Sequence, residues 1–296
     1  MKYAGTNKPP VCMLTNSKCY KNTYEMPIKG VLWHSTGAAN PNLKRYVQPS
    51  DDAANREAWL KHLGKNNNKN DWNHVQLDVG MNAFIGKLAD GSVTAVQTMP
   101  WTYRPWGCAS GRNGSCNSGW IQFEICEDNL NDKNYFNAVY TEACELTAYL
   151  CKMYNLDPFG TVDIYGVKVP VILCHADSYK LGMGSNHSDV YHWFDKYGKT
   201  MDDVRADVAK LLNITGNTTT PVVIAPATDT NSAFIVKVTA DALDIMPEAV
   251  TKYDPVGCIE DKGSYTIVEV SGDWGKLKSG AGWINLKHTK RLKSIS

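Results

Sequence analysis

Residue types that can hold and use a hydrolytic metal ion recur at separated points of this chain. His34 directly follows the apolar run Gly30-Val31-Leu32-Trp33, and His175 follows Pro170-Val171-Ile172-Leu173-Cys174. Both runs read as buried strands, and strand ends are rigid places from which side chains can converge on one point. Neutral imidazoles suit zinc, but a catalytic zinc takes three protein ligands and keeps a fourth position for water. The stretch Ser185 to Phe194 supplies candidates for the third ligand in His187 and Asp189, with His192 nearby. Taken singly, either strand-end histidine reads as a hydrogen-bonded structural residue, Asp189 as a helix cap and His192 as a surface or packing residue. The joint placement of His34 and His175 reverses that reading for the pair. A further strand-like alternation, Trp120 to Cys126, carries Glu124, while Glu127 and Asp128 just beyond it read as solvated loop charges. His62, His74 and His288 have no such partners in the sequence.

The elements that must position these groups follow from hydrophobic spacing. Val139, Ala143, Leu146, Leu150 and Met153 recur at intervals of four and three, which predicts a helix over Tyr135 to Tyr154 with that face in the core. Thr200 can cap a second helix with Asp203 in its first turn and Val204, Val208 and Leu211 facing inward. Helical patterns alternating with short apolar strands predict an α/β domain built on a mixed central β-sheet flanked by helices, over residues 1–212. The stretch 213–232, rich in Thr, Asn and Pro, reads as a linker. Residues 233–296 offer short alternating runs, among them Phe234 to Val238 and Tyr265 to Val270, and predict a small all-β barrel.

The arrangement of His34, Glu124, His175 and Asp189 resembles the N-acetylmuramoyl-L-alanine amidase family, which includes phage amidases and peptidoglycan-recognition proteins. The resemblance extends over most of residues 25–212 and joins four separated positions. It implies zinc held by His34, His175 and Asp189, because in one branch of the family the third ligand is an aspartate followed five residues later by phenylalanine, as Asp189 is by Phe194. It also implies that Glu124 is the catalytic carboxylate and that His187 stands where relatives carry a lysine that stabilises the tetrahedral intermediate. The interval from His175 to Asp189 is longer than in the shorter members, so an insertion containing Lys180 is expected. The loop around Arg112 and Asn113, with Trp106 upstream, resembles substrate-side segments of phage amidases, but Gly107 stands where many relatives have a histidine. Residues 233–296 resemble a bacterial SH3-type domain in Val236 to Leu243, Trp274-Gly275-Lys276-Leu277 and Gly280 to Ile284. Trp274 and Trp283, with Tyr253 and Tyr265, could line a groove for cell-wall peptides, and at least one of the two tryptophans is expected in the barrel core. Asp244-Ile245-Met246-Pro247 replaces the arginine-containing turn usual after the first strand of such domains.

Composition bounds the alternatives. Hydrophobic residues at 43% and charged residues at 21% argue against a disordered or fibrous chain. A formal charge of +1 gives no field that would favour nucleic acid or an anionic membrane as partner. The first residues lack an apolar stretch of signal-peptide length, and no segment approaches a membrane span. The expectation is therefore a phage or prophage endolysin held in the host cytoplasm until a holin-type pore releases it to the peptidoglycan of a Gram-positive wall. Nine cysteines without CxxC pairs fit reduced thiols, although a bridge between Cys108 and Cys116, or Cys12 and Cys19, is left open. Two rival readings stand beside the amidase. One is a cysteine peptidase of the wall using Cys116 or Cys126, and the other a noncatalytic peptidoglycan sensor.

Overall fold

In the computed structural model, which describes residues 1–214, 234–249, 255–271 and 273–294, the chain divides into two compact units, Met1–Asn217 and Thr218–Ser296. The expected linker, from residue 215 onward, lies outside the described residues, as does Tyr253. The first unit carries α1 (Lys18–Asn22), β1 (Gly30–Ser35), α2 (Arg56–Leu63), β2 (Ala83–Lys87), β3 (Val93–Gln97), β4 (Trp120–Ile125), α3 (Lys133–Tyr154), β5 (Thr161–Ile164), β6 (Val167–Pro170), β7 (Ile172–Cys174), α4 (His175–Lys180), α5 (Tyr191–Phe194) and α6 (Met201–Leu211). Five of these strands form one sheet in the order β3-β2-β4-β1-β7. Four of its members, β2, β4, β1 and β7, are parallel, and β3 closes one edge antiparallel, giving the mixed sheet that the sequence predicts. Parallel strands covered on both faces read as unbroken apolar runs, and all six residues of β1 are buried.

Period-two alternation divides the side chains of this sheet between two covers. Val31, Trp33, Ile121, Phe123, Ile125 and Ile172 pack under α3 and α6. On the opposite face Leu32, Trp120 and Leu173 meet Cys108, Cys116 and Met183. The two helices take their places for local reasons. Asp132 caps α3 by accepting the backbone N–H groups of Asn134 and Tyr135, and Asn155 ends it in the left-handed conformation. Thr200 and Asp203 form a reciprocal capping box on α6. Val139, Ala143, Leu146 and Leu150 are buried as their spacing predicts, whereas Met153 is 44% exposed. Tyr154 and Leu156 pack on the core edge in its place. Trp33 meets Phe123 and Phe194 at ring-centroid distances of 5.2 and 6.1 Å, contacts that add about 1 kcal/mol each beyond burial. The consequence for chemistry is that β1 and β4 are held rigidly side by side, with His34 in register with Glu124.

The second unit is all-β. Strands β8 (Phe234–Val238), β11 (Ser264–Ser271), β12 (Trp274–Leu277), β13 (Trp283–Asn285) and β14 (Thr289–Ser294) form an antiparallel sheet in the order β13-β12-β11-β8-β14. A pair, β9 (Leu243–Ile245) with β10 (Gly257–Ile259), joins β13 through a bridge between Met246 and Trp283. This is the small SH3-like β-architecture the sequence implies. Its core is aliphatic apart from Phe234: Val236, Val238, Leu243, Ile259, Ile267, Leu277 and Ile284. The expectation that a tryptophan fills it fails. Gly275 and Leu277 take the inward positions of β12 and Ile284 that of β13, so alternation sends Trp274 and Trp283 outward, both half-buried, beside Lys276.

Candidate active site

Three of the expected ligands meet in space. His34 is the penultimate residue of β1 and His175 opens α4 directly after β7, and because β1 and β7 are adjacent parallel strands their carboxyl ends lie together. Asp189 comes from the loop before α5, whose backbone is tied to α4 by the bond from Ala176 N–H to the Asp189 carbonyl at 2.9 Å. His34 Nδ1 stands 3.1 Å from His175 Nδ1 and 3.1 Å from Asp189 Oδ2, and His175 Nδ1 lies 3.4 Å from Asp189 Oδ1. All three residues are buried.

The hydrogen bonds behind these atoms decide what the cluster can hold. Asn117 Oδ1 accepts the backbone N–H groups of Gly107 and Cys108, each at 3.1 Å, which fixes its amide orientation. It also accepts Gln122 Nε2 at 2.9 Å, so Gln122 presents Oε1 to His34 Nε2 at 2.8 Å. The His34 proton therefore sits on Nε2 and the lone pair on Nδ1. Ser185 Oγ lies 3.3 Å from the Cys108 carbonyl, 3.1 Å from His187 Nδ1 and 3.2 Å from His175 Nε2; with its one proton on the carbonyl, which can only accept, it accepts from His175 Nε2. Both rings then turn lone pairs toward one another and toward a carboxylate, an arrangement of acceptors without a donor that calls for a cation between them. Tetrahedral coordination at zinc bond lengths of about 2.0–2.1 Å puts neighbouring ligand atoms ~3.3 Å apart; the His34–His175 and His34–Asp189 spacings of 3.1 Å are close to this, with each Asp189 oxygen facing a different imidazole. The donor set fits the metal.

The cleft over this cluster encloses about 500 Å³ and is lined by His34, Ser35, Thr36, Gly37, Gly107, Glu124, Glu127, Leu130, His175, His187, Ser188, Asp189 and His192. Burial pushes the Glu124 carboxyl well above its usual range, and the charges of Asp189 and Glu127 push the same way. Its Oε2 is buried without a hydrogen-bond partner among the described residues. Burial alone would raise Asp189, but the hydrogen bonds and charges of His175 and His34 outweigh it and hold this carboxyl below the ordinary value. His187 is exposed, stacks on His175 with ring centroids 4.4 Å apart, and places Nδ1 3.1 Å from Ser185 Oγ.

A sequence model of the N-acetylmuramoyl-L-alanine amidases matches residues 24–193, more than half the chain and every residue of the cleft. The chain belongs to this amidase family. Among solved structures the amidase is similar to the Staphylococcus aureus hydrolase AmiA, solved in complex with its ligand, at 17% identity over 70% of this chain and 85% of that one, with a TM-score of 0.45. It is also similar to PlyL, at 18% identity over 68% of this chain and 96% of that one with a TM-score of 0.40, and to the catalytic domain of XlyA, at 17% over 68% and 99% with a TM-score of 0.40. No curated protein matches it in sequence.

Several expectations change within the amidase. Glu127 and Asp128 are buried rather than solvated, and Glu127 lines the cleft paired with His192 at 2.9 Å, so His192 is no bystander. That bond, ahead of the opposing effect of burial, pushes the His192 imidazole up. All nine cysteines are free in this structure, Cys12, Cys19, Cys108 and Cys116 among them. Burial pushes the Cys116 and Cys126 thiols up and neither lines the cleft, which removes the thiolate a cysteine peptidase needs. Trp106 is half-exposed with the Arg104 guanidinium 4.9 Å from its ring. Arg112 is exposed, and Asn113 donates to the Leu181 carbonyl at 2.8 Å; none of the three is among the residues of the cleft wall. Gly107 does line it, and a Cβ there would come within 2.4 Å of Gln122 Oε1, so the side chain that relatives carry is excluded by the amide that orients His34. Gln122 and Asn117 escaped the sequence reading. The available signal was a glutamine two residues before Glu124, hence on the same face of a buried strand.

Proposed function

We propose that the chain hydrolyses the amide between the lactyl group of N-acetylmuramic acid and the L-alanine of the peptidoglycan stem peptide, with zinc held by His34, His175 and Asp189. The observation that carries this reading is the convergence of His34 Nδ1, His175 Nδ1 and the Asp189 carboxylate, each imidazole nitrogen within 3.1–3.4 Å of a carboxylate oxygen. Zinc, when bound there, supplies Lewis acidity that polarises the carbonyl and makes water acidic enough to attack at neutral pH. Glu124, buried and short of a hydrogen-bond partner on Oε2, takes the proton from the attacking water and returns it to the leaving amine. His187 on the cleft wall donates toward the oxygen that gains charge. Trp106 forms part of the substrate rim, with Arg112 and Asn113 shaping the loop beside it. We assign residues 1–212 as catalytic domain, 213–232 as linker and 233–296 as a wall-binding domain that uses the outward faces of Trp274 and Trp283. The tether raises the local concentration of substrate. We assign the chain as an endolysin that reaches a Gram-positive wall through a holin-type pore; among the described residues no helix is long and apolar enough to cross a membrane.

Digestion of purified walls tests the reaction. New L-alanine N-termini, abolished by EDTA and indifferent to thiol alkylation, are expected; wall binding with no released amine would instead favour a sensor. The orienting amide gives a second expectation. Gln122→Leu removes the acceptor that fixes the His34 tautomer, and zinc affinity should fall about 10–100-fold, the usual cost of losing such a partner. Competition with a chromophoric chelator measures it, and an unchanged affinity would disprove the orienting role.

A further inference from the structure

Glu127 and His192 do not belong to the ligand cluster, yet they join the segments that carry His34, Glu124 and Asp189. Glu127 follows β4 by two residues, and its Oε1 accepts both the backbone N–H of Gly37 at 3.1 Å and His192 Nε2 at 2.9 Å. Its own N–H donates to Thr36 Oγ1 at 3.1 Å, while Thr36 N–H reaches back to the Ile125 carbonyl. Thr36 and Gly37 extend β1 just past His34. His192 lies in α5 three residues after Asp189, with its N–H on the Ser188 carbonyl at 3.3 Å. One carboxylate oxygen therefore ties together the chain ends that carry His34, Glu124 and Asp189. Glu127 is 3% exposed, and His192, whose imidazole this bond pushes up, is its one ion-pair partner among the described residues. A buried carboxylate is tolerated only with such compensation.

We infer that the Glu127–His192 pair is a positioning device, holding the Asp189 loop against the ends of β1 and β4 so that the three metal ligands and Glu124 share one geometry. This rests on the proposed reading of the cluster as a zinc site. The pair acts through the ligands, without touching the metal, so its removal must show in zinc affinity before any substrate is present.

The test uses the full chain and zinc alone. Glu127→Gln and His192→Ala should each weaken zinc binding about tenfold or more, within the range that losing an outer partner of a metal ligand produces. The double variant should be no weaker than the worse single one, since both break the same bond. His192→Gln, whose amide can still donate to Glu127, should recover part of the loss, and with zinc saturating the variants should lose kcat with little change in KM. Thermal melts of the metal-free proteins check folding; if His192→Ala does not fold, the isosteric Glu127→Gln decides. Equal zinc affinity in parent and variants would overturn the inference, as would fully additive losses. A parent chain that binds no zinc would instead overturn the zinc reading itself.

Discussion

His34→Ala is expected to abolish zinc retention and to reduce wall hydrolysis at least ~1,000-fold, the equivalent of several kcal/mol of lost metal stabilisation in the transition state. His34 is the hub of the cluster, since its Nδ1 is the one ligand atom 3.1 Å from both of the others. With it gone, His175 and Asp189 remain as two ligands, too few for a catalytic zinc site. The same change also orphans Gln122 Oε1, a buried acceptor whose loss of partner costs about 1–3 kcal/mol. Stability should therefore drop measurably while the fold persists, because the sheet beneath is packed by Trp33, Phe123 and α3 rather than by the imidazole. Metal analysis after dialysis, a thermal melt and amine release from walls separate the three effects. Undiminished amine release by the zinc-free variant would refute the metal role.

What the sequence could and could not reveal follows from how each feature is encoded. His34 and His175 were legible because an apolar run ending in a histidine is a local signal, and parallel strands bring such ends together. The capped helices α3 and α6 were legible for the same reason. The Glu127–His192 pair was not, since it spans 65 residues and nothing local tells a buried carboxylate from a solvated one. Asp128 escaped likewise: it is buried because its carboxylate turns back onto the N–H groups of Leu130 and Asp132. In the second unit the pattern Trp-Gly-Lys-Leu was read by hydrophobicity, which put a tryptophan inside. The pleat puts Gly275 and Leu277 inside instead, because Leu286 and Ile267 leave a Cβ at Gly275 no room, with Leu286 Cδ2 at 2.6 Å. Period outranked side-chain size.

Glu124→Gln separates proton transfer from metal binding, because glutamine keeps the shape of the side chain and loses only its capacity to carry the proton. Hydrolysis should fall ~100- to 10,000-fold, the usual contribution of a general acid–base group, with the loss in kcat and zinc affinity changed little. That combination is the reverse of the His34 result. The same variant carries a pH signature. Burial first, then the charges of Asp189 and Glu127, raise the folded-state value of Glu124 well above that of the unfolded chain, which lies at about 4.3. Between the two values the folded protein keeps a proton that the unfolded chain has released, so raising pH lowers stability in this window. In the metal-free protein Glu124→Gln should therefore melt higher than the parent, by a margin that opens as pH rises above about 4 and widens until the raised folded-state value is passed. Adding zinc should narrow the margin, since a nearby cation favours the carboxylate. Melting curves at a series of pH values, with and without zinc, test this directly, and a margin that stays constant with pH would show that Glu124 enters the cleft already ionised and unstrained by its surroundings.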